Sequence, residues 1–446
     1  MFNFAPHGRN LGPLVEHPSS PSASAGVVSD CAKNREGGME QPAAAAAVAA
    51  EKEGMAQGED LLHQFERILD HDLLIDEVGF LHPTQFQSLD CSQTGNSTSE
   101  SHEYTQEYLW CRDHKLAISS EVLPKLYRAA RHAYSNSATV KDAALLEPDL
   151  MSHSKALLIL CPDMLTAWNS RKMVLSVSYD FTKLKDELQL CTMILSYSPK
   201  NESTWSHRRW VIKKVSEHHQ DMSGLIERES LLVKEIAEKS KMNYRAWRHR
   251  CWLISYMTRE QVLDELKKSA RWNELHVADN CCFHYRRSLL LALLDSRCIE
   301  GENSLDYKSE VHLLWKEELR WNEMLIRRYQ GRESLWIHRR FLSQWWVKFL
   351  LSGEEMECCA AGISLVDLFL SQEIYLLSDC LNVPADEFGE ACIQAELAAL
   401  YILWISKQVP AVKPQLEERL HSLGSLEDVL ARACPERSRL WTHLIA

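Results

Sequence analysis

Between residues 168 and 350 apolar positions recur at helical spacing around a repeated aromatic anchor. Trp168, Trp205 and Trp247 are each followed three residues on by arginine (Arg171, Arg208, Arg250) and seven residues on by an aliphatic side chain (Leu175, Ile212, Ile254). Offsets of three and seven return to one face of a helix, so each segment predicts a helix with a Trp-Arg-aliphatic stripe. Two more segments fit the pattern. His284 stands in for tryptophan ahead of Arg287 and Leu291, and Trp336 precedes Arg339, with Ser343 at the seventh place and Leu342 supplying the apolar side chain. The anchors lie 37, 42, 37 and 52 residues apart, a period that predicts stacked helical hairpins rather than one globular core.

A second helix precedes each anchor helix. Leu188, Leu190, Ile194 and Leu195 have helical spacing, as do Leu231, Leu232, Ile236 and Ala237. Each of these segments carries an acid in register: Glu187, Glu229 and Glu318 stand 18 residues before their anchors, and Glu265 is displaced by one. Asn201, Asn243 and Asn280, four residues before three of the anchors, suit helix N-caps, and Pro199 marks a chain break beside the first. The unit is therefore helix, short turn, helix, and the fold class is all-α, an α-α solenoid with a right-handed superhelical sense. The tryptophans are expected to fill the space between hairpins and the arginines to pair with an acid of an adjacent helix. The basic residues beside them, His207, Arg209, Arg248, His249, His338 and Arg340, are too many to bury, and some must reach the surface.

Outside the array the pattern is weaker. Residues 1–58, with a Pro/Ser cluster and an alanine run at 43–50 but few large hydrophobes, are expected to be disordered. Residues 59–103 form an extension containing a short helix over Leu61–Leu74, an extended piece over Ile75–Phe80 and a polar loop over Ser88–Ser101. Helix is expected to resume near Tyr104 and run through the repeats to residue 349, broken by a loop at Ser296–Ser304, and residues 350–446 are expected to form capping helices. Strand signals are sparse.

Composition narrows the function. No stretch approaches the roughly 20 apolar residues of a membrane span, and no secretory signal is visible, so the 14 cysteines predict free thiols in the cytoplasm. The pairs Cys281-Cys282 and Cys358-Cys359 have no second pair at zinc-site spacing, so no metal or other cofactor is expected in this chain. A net charge of −12 disfavours nucleic acid. Within that acidic chain, Ser-His-Arg-Arg at 206–209, Arg-His-Arg at 248–250 and His-Arg-Arg at 338–340 predict a local basic stripe suited to an anionic ligand or acidic partner surface, unless these residues pair with the repeat glutamates.

The segments from Pro199 to Trp210 and from Asn243 to Trp252 resemble the repeat of protein prenyltransferase alpha subunits, and the likeness spans residues 150–350. The resemblance implies a crescent of hairpins that embraces a beta subunit, most naturally a Rab-type geranylgeranyltransferase beta chain. That partner carries the zinc, the isoprenoid pocket and most of the protein-substrate site. The resemblance further implies a chain inactive alone and active as half of a protein geranylgeranyltransferase, which moves the prenyl group of geranylgeranyl diphosphate to C-terminal cysteines of protein substrates. The alpha chain's contribution there is a lysine just before the repeat asparagine, which stabilises the diphosphate leaving group. Lys200 in Pro-Lys-Asn fits that place. The companion tyrosine of farnesyl-type subunits is absent, since Glu202 follows Asn201, whereas Tyr244 follows Asn243 but Met242 precedes it and Lys241 falls one residue early. Lys200 and Tyr244 are the candidate catalytic residues. The competing reading is a noncatalytic helical-repeat scaffold or adaptor.

Overall fold

The computed structural model describes residues 41–90, 104–105, 107–139, 143–294, 304–351, 364–384 and 387–445. The chain divides into two units, Met1–Glu53 and Gly54–Ala446. Of the first, the described part is the beginning of helix α1 (Gln41–His71). The alanine run at 43–50, expected to be disordered, is helical there, because alanine favours helix without needing a core to pack against. Residues 1–40, the loop expected at 88–101 from residue 91 onward, the loop before Ser304 and the pair Cys358-Cys359 lie outside the described residues.

The second unit opens with an element that the apolar pattern did not announce. Strands β1 (Glu77–Leu81), β2 (Tyr104–Thr105), β3 (Leu109–Arg112) and β4 (Lys115–Ser119) form one sheet in the order β1-β4-β3-β2, with helix α2 (Pro83–Asp90) following β1. The expected extended piece at 75–80 is β1, but the expected return of helix at Tyr104 is corrected: helix resumes only with α3 (Leu123–Thr139). Leu109 and Cys111 are buried while Trp110 and Arg112 are half-exposed, a period of two. Between β3 and β4, Asp113 and His114 have φ of 48° and 61°, the two left-handed residues of a tight hairpin turn. β1 runs parallel to β4, with Val78 opposite Leu116.

The rest is helical hairpins: α4 (Ala143–Leu160) with α5 (Leu165–Val177), α6 (Phe181–Tyr197) with α7 (Glu202–Ser216), and α8 (Ser223–Lys239) with α9 (Tyr244–Leu253). They continue as α10 (Arg259–Leu275) with α11 (Asn280–Leu294), α12 (Ser304–Arg328) with α13 (Glu333–Leu351), and α14 (Leu365–Leu381) with α15 (Glu390–Gln408). The second helix of each hairpin packs on the second helix of the next, from α5 to α15, while α4, α6 and α8 pack side by side in the other layer. This is the expected solenoid of hairpin repeats. Short helices α16 (Lys413–Leu420) and α17 (Leu426–Ala433) close the end by packing on α14 and α15, and α18 (Ser438–Ile445) packs on α17. At the other end the sheet is tied to α6, where Val78 N donates to Ser196 Oγ at 3.1 Å and Gln189 Nε2 donates to the Ile75 carbonyl at 2.8 Å.

Candidate functional site

The anchor tryptophans are buried to within 2% exposure at Trp168, Trp205, Trp247 and Trp336. Each packs on the residue two places after the next anchor: Trp168 on His207, Trp205 on His249 and Trp247 on Tyr285, with ring centroids 4.4, 4.9 and 5.8 Å apart. Phe283 continues the series on His338 at 5.4 Å, and Trp336 on Tyr401 at 5.5 Å. The fourth anchor is therefore Phe283. His284 is exposed, as is Leu291, whereas Phe283 and Leu290 are fully buried. The shift by one residue also corrects the arginine from Arg287 to Arg286 and the cap from Asn280 to Asp279, whose Oδ1 accepts from Cys281 N at 2.8 Å. With Phe283 as anchor, Glu265 falls 18 residues before it, the same interval as in the neighbouring copies. We expect Phe283→Ala to destabilise the protein by about 3–5 kcal/mol and His284→Ala to stay within about 0.5 kcal/mol. Urea unfolding of both variants checks the register, and equal losses would contradict it.

The arginines do pair with glutamates, and the partner belongs to the following hairpin. Arg208 in α7 makes two bonds to Glu229 in α8, 2.7 Å from Nε and 2.6 Å from Nη2, while its Nη1 donates to the Leu188 carbonyl of its own hairpin at 2.7 Å. Glu229 also accepts from His249 Nε2 in α9 at 2.9 Å. One carboxylate thus ties three helices. The same stitch recurs as Arg171–Glu187–His207, Arg250–Glu265–Tyr285 and Arg286–Glu318–His338. It occurs once more as Arg339–Glu373–Tyr401, where Arg339 Nη2 lies 2.6 Å and Tyr401 Oη 2.8 Å from the carboxylate. The array therefore extends through α14 and α15, elements expected only as caps.

Burial would raise the Glu229 carboxyl, but the Arg208 charge and the hydrogen bonds from His249 and Arg208 outweigh it and hold the group at about 2. Glu187 and Glu318 are held at about 2 by their own arginine and histidine in the same way. Burial pushes His207, His249 and His338 below the usual imidazole range despite the glutamate beside each. The histidines are neutral donors in this arrangement, so each stitch carries one positive and one negative charge, matched inside the protein. A buried pair of this kind needs its full set of hydrogen bonds, which fixes how successive hairpins register on one another.

The basic residues beside the anchors accordingly separate into two sets. His207, His249 and His338 are wholly buried in stitches, whereas Arg248 is exposed and Lys172, Arg209, Arg287 and Arg340 are half-buried. The last four stand four residues after their anchors on α5, α7, α11 and α13, a row that Cys251 interrupts on α9. Of the expected stripe, Arg208, Arg250, Arg339 and the three histidines pair internally, and only Arg209, Arg248 and Arg340 lie outside the stitches.

Lys200 lies in the turn between α6 and α7. Asn201 caps α7, its Oδ1 accepting from Thr204 N at 2.8 Å, and Asn243 caps α9, its Oδ1 accepting from Ala246 N at 3.2 Å. The Pro199 carbonyl accepts both Trp205 Nε1 at 3.0 Å and Asn243 Nδ2 at 2.8 Å. The first bond holds the Pro199-Lys200 turn on α7 and the second pins it against the start of α9, and so brings the sequence-predicted residues Lys200 and Tyr244 to one edge of the array. Both are exposed, Tyr244 by 60%, and Lys200 has no ion-pair partner among the described residues. Met242, the counterpart of Lys200 one hairpin on, has φ of 54°, so that turn takes a different path. Glu202, which occupies the place of the companion tyrosine, receives Arg209 at 2.8 Å and Arg245 at 3.1 Å, with Arg248 at 3.8 Å. Three arginines around one acid, next to Lys200 and two helix N-termini, leave this edge electropositive and suited to an anion.

Comparison with known proteins agrees with this repeat grammar. The profile described as protein prenyltransferase alpha subunit repeat matches residues 184–215 and 262–293, the α6–α7 and α10–α11 hairpins. Two hairpins of the chain are thus similar to protein prenyltransferase alpha subunit repeats. It is similar to protein prenyltransferase alpha subunit repeat-containing protein 1 of Homo sapiens, 32% identical over 237 residues, which cover 44% of this chain and 58% of that protein. The protein of the same name from Danio rerio is 30% identical over 266 residues, covering 50% and 62% of the two chains. Protein 1-B of Xenopus laevis is 30% identical over 234 residues, covering 43% and 54%. The chain thus spans between about half and three fifths of the length of these curated relatives. Among the described residues no helix is long and apolar enough to cross a membrane.

The second prenyltransferase alpha repeat matched includes Phe283 and Arg286, the register that the stitches define. Sequence reasoning missed both residues, along with Tyr285, Glu373 and Tyr401. The available signal was the 18-residue interval from Glu265, which singles out position 283.

Proposed function

We propose that the chain is the alpha subunit of a heterodimeric protein geranylgeranyltransferase in the cytoplasm, assembled with a Rab-type beta subunit. Its prenyltransferase alpha repeats support the class, and the pinned Lys200 turn carries the reading. In the reaction the C–O bond of geranylgeranyl diphosphate breaks, a C–S bond forms to a C-terminal cysteine of the protein substrate, and diphosphate leaves with the developing charge. A cation carried on a turn held beside two helix N-termini favours that charge more than it favours the unreacted diphosphate. Lys200 supplies the cation, and Arg245 and Arg248 keep the surrounding field positive. Tyr244 offers a phenol to the same edge. Zinc, held in this reading by the beta subunit, makes the cysteine thiol a better nucleophile.

The exposed Arg248 and the half-buried Lys172, Arg209, Arg287 and Arg340 support a partner with an acidic surface. Co-expression with a Rab-type beta subunit should yield a stable complex that transfers labelled geranylgeranyl to a cysteine-terminated substrate. Failure to co-purify would overturn the proposal, and a stable complex without transfer would favour the adaptor reading.

A further inference from the structure

A second surface lies on the other layer of the array, away from the Lys200 edge. Helices α12 and α14 part over α13, leaving a recess of about 520 Å³, within the range of ligand-binding clefts. Leu319, Trp346 and Phe369 form its apolar floor and are at most 8% exposed. Its lips are apolar too: Leu368 is 45% and Tyr375 64% exposed. Arg320 and Glu323 join the recess to a shallower depression that adds Met324, 46% exposed, and Arg328. The result is a groove along α12 rather than a closed chamber.

The charges along this groove are unequal. Its acids already have partners: Glu323 takes Arg327 at 2.8 Å, and Glu373 takes Arg339 and Tyr401 in the last stitch. Lys316, Arg320 and Arg328 have no ion-pair partner among the described residues, and Arg328 only lies near the Tyr329 ring. On a chain with net charge −12, three uncompensated cations flank an apolar trough. From Lys316 to Arg328 they extend roughly 18 Å along the helix axis, about three helical turns.

We infer that the α12–α14 groove docks an acidic amphipathic helix of a partner protein, with apolar side chains over Trp346 and Phe369 and carboxylates beside Lys316, Arg320 and Arg328. An apolar trough edged by charge matches a helix that has one apolar face and charged flanks. A lipid surface fits less well, because the apolar floor is recessed between two helices and a flat bilayer cannot reach it.

The test uses the full chain and a fluorescent 18-residue probe helix with leucine at helical spacing and glutamate elsewhere. Fluorescence anisotropy should show saturable binding, and the same probe with lysine for glutamate should bind far more weakly. The double variant K316E/R320E should weaken binding of the acidic probe by roughly tenfold or more, and the uncharged change Leu368→Gln should weaken it without altering charge. Unchanged circular dichroism and melting show that each variant remains folded. The inference is overturned by absence of saturable binding, by equal binding of the lysine probe, by K316E/R320E binding like the parent, or by binding of phosphatidylserine vesicles in place of the acidic helix. None of these outcomes bears on prenyl transfer, so this surface stands or falls apart from the proposed activity.

Discussion

Glu229→Ala is expected to destabilise the protein by about 3–5 kcal/mol, measured as a loss of unfolding free energy in urea. Glu229 is 1% exposed and joins α7, α8 and α9 through Arg208 and His249. Removing its carboxylate leaves the Arg208 guanidinium buried without its counter-charge and the His249 Nε2–H without an acceptor. Neither side chain can turn to water, since both helices are packed on their neighbours. The contrasting variant is Glu202→Ala. Glu202 also meets arginines, but its side chain is 42% exposed, so water replaces the lost contacts and the expected change is under about 1 kcal/mol. Because the array is a chain of nearest-neighbour units, the loss at Glu229 should loosen the hairpins on either side of it first. Hydrogen exchange in α7 and α9 should therefore rise before exchange in α13. A Glu229→Ala protein as stable as the parent would remove the stitch from the account of what holds the array together.

Lys200→Ala should slow prenyl transfer by roughly 100- to 1000-fold in single turnover, the range for removing one preplaced group that stabilises developing negative charge. Assembly with the beta subunit should be unchanged, because Lys200 is exposed and the turn is held by the Pro199 carbonyl rather than by the lysine side chain. Tyr244→Phe should have a smaller effect, since the phenol is a neutral donor and carries no charge to oppose that of the leaving group. Comparing the two separates their roles. A single-turnover rate that does not change in Lys200→Ala would remove Lys200 from the chemistry, while a rate lost only in Tyr244→Phe would move the chemistry to α9.

Much of this arrangement is legible in the sequence. Trp168, Trp205, Trp247 and Trp336 are buried and Arg171, Arg208, Arg250 and Arg339 meet glutamates, at positions that helical periodicity marks because it depends only on local geometry. The fourth copy slipped by one residue because His284 and Arg287 satisfy the same aromatic-to-arginine interval as Phe283 and Arg286. Adjacent residues point to different sides of a helix, so that slip exchanged the buried face for the exposed one. The sheet was missed for a different reason. Its hairpin turns at Asp113-His114, without the glycine that usually announces two left-handed residues in succession. The last stitch was hidden because Glu373 and Tyr401 lie on helices that carry no Trp-x-x-Arg.

The sequence by itself determined the unit: two helices, an asparagine-capped turn at Asn201 and Asn243, an aromatic anchor and an acid 18 residues upstream. All of these arise from interactions within one hairpin or from the 3.6-residue repeat of a helix. Tertiary structure alone decided which arginine meets which glutamate, that each carboxylate also takes a histidine or tyrosine from its own hairpin, and that the array runs on through α15. Those contacts join residues 15 to 34 positions apart on separate helices, and their pairing depends on how one hairpin stacks on the next. The position of Lys200 followed the same rule. Its place before Asn201 was visible in the chain, but the Pro199 carbonyl that pins its turn to α9 required two hairpins in register.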